Sequence, residues 1–227
     1  MKTIVLNDLN FEISYSQNRK NMEIVVDREG GLSIKAPKNV KTEHLRKFLK
    51  EKEFWVYTKL FEKQLLLKSK SKNQFRYGEK FPYLGKAYSL SRTGKTKTIA
   101  LEKGKFILPN TELDTRYFVD WYSSHARKWI SQKISQYERK LGIKATKIRV
   151  LDLGNRWGSC SSDNTLNFHW RVILAPPKIV EYVIVHEIIH MIEKNHTPEF
   201  WKKLGKIMPD YLDRKQWLQV NGASLDI

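Results

Sequence analysis

Apolar and polar residues alternate along 3–36, as in Phe11-Glu12-Ile13-Ser14-Tyr15 and Met22-Glu23-Ile24-Val25-Val26. A period of two is that of strands with one buried face. Gly30-Gly31 punctuates the run and predicts a hairpin between two short strands, and Pro37 closes it. From Thr42 to about Lys68 the period changes. Leu45, Phe48, Leu49, Val56, Leu60 and Phe61 recur at helical spacing. Strands follow at 81–92, 96–101 and 105–108, with turns at Leu84-Gly85-Lys86, Thr93-Gly94-Lys95 and Lys103-Gly104.

The second half opens on a long helix, about 112–141. Its stripe is Phe118, Trp121, Tyr122, His125, Trp129, Ile130, Ile134 and Tyr137, and Gly142 ends it. His125 sits within that stripe and reads as a packing residue. Strands are expected at 148–153, 156–161 and 165–172, with a turn at Asp163-Asn164. Pro176-Pro177 then opens a helix that is apolar on nearly every face, from Ile179 to Ile192, and so belongs in a core. A short helix from Pro198 and an aromatic stretch, Tyr211 to Trp217, come last. The pattern reads as α+β. A mostly-β N-terminal region at 1–110 carries one long helix at about 42–68. A second domain at 111–227 has a long helix, a short antiparallel sheet and the apolar helix.

Composition narrows the setting. No stretch of 18 apolar residues is present, and the N-terminus lacks the apolar core of a secretion signal. The single cysteine, Cys160, has no partner for an internal disulfide and reads as a buried strand residue. These features point to the cytoplasm and away from membranes. Charge adds a partner class. Lys and Arg number 42 against 24 acidic residues, for a net charge of +18. Residues 1–110 hold 24 of the basic and 11 of the acidic side chains. A basic N-terminal half of this kind suits nucleic acid, with Lys68-Ser69-Lys70-Ser71-Lys72 as a candidate phosphate-contacting linker. A merely solvated lysine-rich surface is the plainer reading.

The apolar helix carries the chemistry. Between Glu181 and Glu193 its only readily charged groups are His186, Glu187 and His190. Histidines at i and i+4 share one helix face and reach one metal ion, and the adjacent glutamate is placed as general base to a water. In a buried helix such groups are costly unless paired or bound to metal. His196 follows with the spacing of a longer H-E-x-x-H-x-x-G-x-x-H pattern, although Glu193 stands where that pattern has glycine. Asn195 is expected to supply the turn in a left-handed conformation, ahead of Thr197 as N-cap and Pro198 at the first helical position. One zinc ion per chain is expected on His186, His190 and His196, with Glu199 as the rival third ligand. Arg156 and His169 are candidate donors to the oxyanion of a peptide substrate. Gly158 reads either as a site of close backbone approach or as a simple bulge.

Several runs together resemble the YgjP-like metallopeptidases. They are Arg156-Trp157-Gly158-Ser159-Cys160, Asn167-Phe168-His169-Trp170-Arg171, Leu174-Ala175-Pro176-Pro177, the H-E-x-x-H helix and Asn195-His196-Thr197-Pro198-Glu199-Phe200-Trp201. The chain is similar, more distantly, to SprT-like zinc proteases and other compact gluzincin-type domains. The likeness is strong over 150–217 and looser before it, where Tyr83-Leu84-Gly85-Lys86 fits. It implies a zincin-like core and a zinc-dependent hydrolase acting on peptides or proteins, with the three histidines as ligands and Glu187 as catalytic base. The SprT-like likeness implies an alternative, a nucleic-acid-associated protease of bound proteins. A third reading is a binding module whose zinc is structural, with Glu199 or Cys160 as a fourth ligand.

Overall fold

The computed structural model describes residues 2–27, 30–68, 75–92, 98–109, 115–154 and 156–227, with backbone alone for 61–68 and Arg92. Its contacts divide the chain into two units, Met1–Ser71 and Lys72–Ile227. In the first unit, β1 (Lys2–Leu6) and β2 (Leu9–Ser16) form an antiparallel hairpin. β3 (Glu23–Val26) and β4 (Leu32–Pro37) form another, and β2 pairs with β4 in parallel, giving the order β1-β2-β4-β3. The alternating pattern becomes one buried face made of Ile4, Leu9, Phe11, Ile34 and Ala36. α1 (Thr42–Lys68) covers that face with Leu45, Leu49 and Val56, all wholly buried. Gly30, at φ 92°, makes the expected hairpin turn.

The second unit begins well before the boundary at 110 that the sequence suggests. β5 (Lys80–Tyr83), β6 (Lys86–Arg92), β7 (Ala100–Glu102) and β8 (Lys105–Leu108) form a sheet of order β5-β6-β8-β7. Phe81, Leu90, Phe106 and Leu108 of this sheet are buried in one cluster with Phe118, Trp121 and Tyr122 of α2 (Thr115–Leu141). Phe81 stacks on Phe118 at 4.8 Å, and Phe106 meets Trp121 edge-on at 4.8 Å. Each such pair adds roughly 0.5–1.5 kcal/mol beyond its buried area. Strands that share an aromatic core with α2 cannot form a separate unit from it. The basic excess of 1–110 is therefore split, with 15 basic and 9 acidic residues in 1–71 and 9 and 2 in 72–110. The turn at 93–95 and most of the Lys68–Lys72 run lie outside the described residues.

β9 (Lys147–Leu151), β10 (Gly158–Cys160) and β11 (Thr165–His169) form a sheet of order β10-β11-β9. It is mixed rather than antiparallel, because β9 runs parallel to β11 while β10 is antiparallel to it. The stretch from Leu151 to β10 returns the chain across the sheet before β11 enters. The expected third strand stops at His169. There the imidazole Nδ1 accepts from the Arg171 N–H, capping a 3-10 turn over Trp170–Leu174. That turn is tied to the first sheet, since Ile173 and Leu174 carbonyls accept from Leu84 N (2.8 Å) and Gly85 N (3.2 Å). Gly85, at φ 74°, sits so close to Pro176 that a Cβ would lie 2.8 Å from its Cα. α3 (Pro177–Ile189), α4 (Pro198–Ile207) and α5 (Tyr211–Asn221) complete a mixed α+β architecture. No helix among the described residues is long and apolar enough to cross a membrane.

Candidate metal centre

α3 starts at Pro177, whose missing N–H costs nothing in a first turn, and buries Ile179, Val180, Val183, Ile184, Val185, Ile188 and Ile189. This all-round burial fixes the helix in the core and leaves His186 and His190, one turn apart, at its C-terminal end. The helix closes at His190 through tight turns, in which Met191 N bonds Ile188 O (3.0 Å) and Ile192 N bonds Ile189 O (2.9 Å). The expectation for Asn195 is not met, for its φ is not positive. The tightened last turn already redirects the chain, so no left-handed residue is required. Thr197 caps α4 as expected, its hydroxyl accepting from Phe200 N.

The turn returns His196 to the other two histidines. His196 Nε2 lies 2.9 Å from His186 Nε2 and 3.1 Å from His190 Nε2. Three nitrogens bound at about 2.0–2.1 Å to one tetrahedral ion stand about 3.3 Å apart, so the spacing fits a metal ion. All three ligand atoms fall within 4.8 Å of one another, and among the described residues no fourth His, Cys, Asp or Glu joins them. The surroundings of the rings suit ligands. His190 Nδ1 is 2.9 Å from the Glu193 carbonyl, and a proton placed there leaves Nε2 free to bind a metal. Burial, followed by the neighbouring His190 and His196, pushes the His186 pKa down to about 3. His186 Nδ1 is buried with no hydrogen-bond partner among the described residues. Burial likewise lowers His196.

Glu187 points toward β10. It is buried, and burial pushes its pKa up to about 8, while the Arg156 charge pulls it down. Its room comes from Gly158. A Cβ on that residue would lie 2.7 Å from both Cγ and Oε1 of Glu187. The register Gly158↔Phe168, Ser159↔Asn167, Cys160↔Leu166 is unbroken, so Gly158 is not a bulge. What approaches its backbone is the glutamate of the same chain. Glycine spacing alone gave no hint of this partner.

The remaining candidates separate. Arg156 is exposed, lies before β10 rather than within it, and is electrostatically coupled to Glu187. His169 is fully buried, with Nδ1 engaged by Arg171 N–H and Nε2 3.3 Å from the Asp152 carboxylate. The ring is thus held at the sheet corner by Arg171 N–H, with Asp152 beside it. Glu199 is exposed, 4.0 Å from Lys202, and outside the histidine cluster. Cys160 is outside it too, its thiol pushed up by burial. His125 stacks on Trp121 at 3.8 Å and is a packing residue.

Sequence reasoning gave no role to Phe200. Its ring is wholly buried and lies 4.9, 4.6 and 4.7 Å from the rings of His186, His190 and His196. It is a floor under all three imidazoles. The available signal was its place at the third position after the Thr197 cap, on the first turn of α4, facing back to α3. Two ties hold the loop between His190 and His196. Lys194 Nζ donates to Asn164 Oδ1 (3.0 Å) in the β10–β11 turn, and Lys203 pairs with Glu193.

The chain matches the family described as YgjP-like, metallopeptidase domain, over residues 20–221. No curated protein matches it. Among solved structures, the crystal structure of the metallopeptidase zymogen of Pyrococcus abyssi abylysin aligns with a TM-score of 0.36 and 17% identity, over 38% of this chain and 89% of that one.

Proposed function

The chain belongs to the YgjP-like metallopeptidase family, and from that premise we propose that it is a zinc peptidase whose ion is held by His186, His190 and His196, with Glu187 as general base. The observation that carries the proposal is the convergence of three imidazoles with no fourth His, Cys, Asp or Glu among the described residues. Structural zinc sites are closed by four protein ligands, and three ligands leave a position for reactants. A zinc ion bound there supplies Lewis-acid polarisation of a carbonyl and acidifies water.

The chain's own residues supply the rest. The Glu187 carboxylate takes the proton of the attacking water and returns it to the leaving amine, a role worth about 10²–10⁴ in rate. Its raised pKa suits it to hold that proton between the two transfers. Gly158 gives the carboxylate its room, and Phe200 holds the three imidazoles in register. Arg156, exposed beside Glu187, is the candidate to stabilise charge on the substrate carbonyl oxygen. β10 is an edge strand and offers backbone groups to an extended peptide.

The experiment is Glu187→Gln in the zinc-loaded protein, with zinc content and cleavage of labelled unfolded casein measured together. The expected result is full zinc content with cleavage reduced by at least ~10²-fold. Loss of zinc would make Glu187 a ligand, and unchanged cleavage would remove it from catalysis.

A further inference from the structure

A stack of rings leads from the histidine cluster to a lysine. His196 stacks on Trp201 (5.5 Å between centroids, 23° between planes), and Trp201 stacks on Tyr211 (5.6 Å, 20°). Lys215 Nζ lies 4.4 Å from the centroid of the Trp201 ring. The helix that carries this lysine is fixed to α3 one residue earlier. Arg214 donates to the Lys178 carbonyl (3.0 Å) and to Asp210 (2.9 Å), and approaches Glu181 at 3.5 Å. Leu218 is buried one turn further on. The position of Lys215 is therefore built.

Its partners are unusual. Arg214 is satisfied by two carboxylates, whereas Lys215 pairs with no carboxylate among the described residues and rests on an aromatic face. Its charge lies one aromatic ring from the cluster, since the Trp201 ring it rests on is itself stacked on His196. In the zinc reading above, on which this inference rests, a divalent cation joins that ammonium. Like charges gathered at one site repel, and an anion received between them removes the repulsion.

We infer that Lys215 is a substrate-specificity residue, whose ammonium receives a carboxylate of the bound peptide beside the histidine cluster. Two sources share this chemistry, the peptide's C-terminal carboxylate and an acidic side chain. The cation–π seat gives the ammonium a place to rest when no carboxylate is bound.

The test reads binding, so it does not depend on turnover. Zinc-loaded Glu187→Gln protein is titrated by calorimetry with three N-acetylated apolar hexapeptides. One has a free C-terminus, one is amidated, and one is amidated with a single internal Asp. The same series is run with Lys215→Met added, which keeps the stem on Trp201, and with Lys215→Arg added, zinc content being checked in each. One of the two carboxylate peptides is expected to bind at least ~10-fold tighter than the neutral amide, with the gap closing to within ~2-fold in Lys215→Met and persisting in Lys215→Arg. Whichever carboxylate peptide leads identifies the source. Equal binding of all three, binding of none, or a preference that survives Lys215→Met overturns the inference. Failure of the peptidase reading shows separately, as an unsubstituted protein that binds the peptides and does not cleave them.

Discussion

Gly158→Ala offers a sharp test of how this site is built. Gly158 has no positive φ, so its extended backbone accepts alanine without strain. The whole effect must come from the new methyl. That methyl would lie 2.7 Å from Glu187 Cγ and Oε1 and 2.9 Å from Cδ, where ordinary contacts begin at 3.4 Å. The carboxylate must therefore retreat by at least about 0.7 Å, and a displacement near 1 Å costs on the order of 10²-fold in rate. Overpacking of a buried site costs about 1–3 kcal/mol, which lowers the melting temperature by several degrees without unfolding the protein. The assay is casein cleavage with zinc content and melting temperature on the same samples. Gly158→Ala is expected to keep its zinc and to lose ~10²-fold of its activity. The double variant with Glu187→Gln decides the mechanism. Glutamine has the shape of glutamate but cannot act as the base, so adding Gly158→Ala to it should cost little more. A fully active, zinc-loaded Gly158→Ala would refute the reasoning, as would losses that multiply in the double variant.

Three further outcomes are expected. His196→Ala lowers zinc affinity by at least ~10-fold while Glu199→Ala leaves it unchanged, as measured by competition with a chelator at fixed pH; the opposite ranking would exchange their roles. In metal-free protein, Glu187 is raised from 4.5 to about 8, so between those values the native state keeps a proton that the unfolded chain has lost, and stability falls as pH rises. His186, lowered from 6.5 to about 3, acts in the opposite sense below 6.5 and offsets it. Above pH 6.5 the His186 contribution is complete, and from there to pH 8 urea unfolding should show wild type losing up to ~1.4 kcal/mol per pH unit relative to Glu187→Gln; parallel curves would show that Glu187 does not carry the shift. Lastly, if the net charge of +18 serves nucleic acid, labelled DNA should bind with little sequence preference and a steep salt dependence. Absence of binding at low salt would leave that charge as a surface property.

Much of the site was legible because its parts are local. The i, i+4 spacing of His186 and His190, the Pro177 start and the Thr197 cap each depend on residues within about one helical turn. The periods that marked α1 and the stripe of α2 are local in the same way, and those helices lie where the spacing puts them. The same limit explains what the sequence did not reveal. The mixed pairing of β9 with β11, the early boundary of the second unit and the Gly158–Glu187 contact join residues about 15 to 40 positions apart. His169 reads equally well in a strand as a donor or as a core residue, and only the structure shows it fully buried with Nδ1 accepting from Arg171 N–H. Sequence alone picked out the three histidines that the structure brings together, because periodicity and capping are set by near neighbours. Tertiary structure decided how they are held, with Phe200 under the imidazoles and Gly158 against the glutamate, because those contacts exist only once distant elements have packed together.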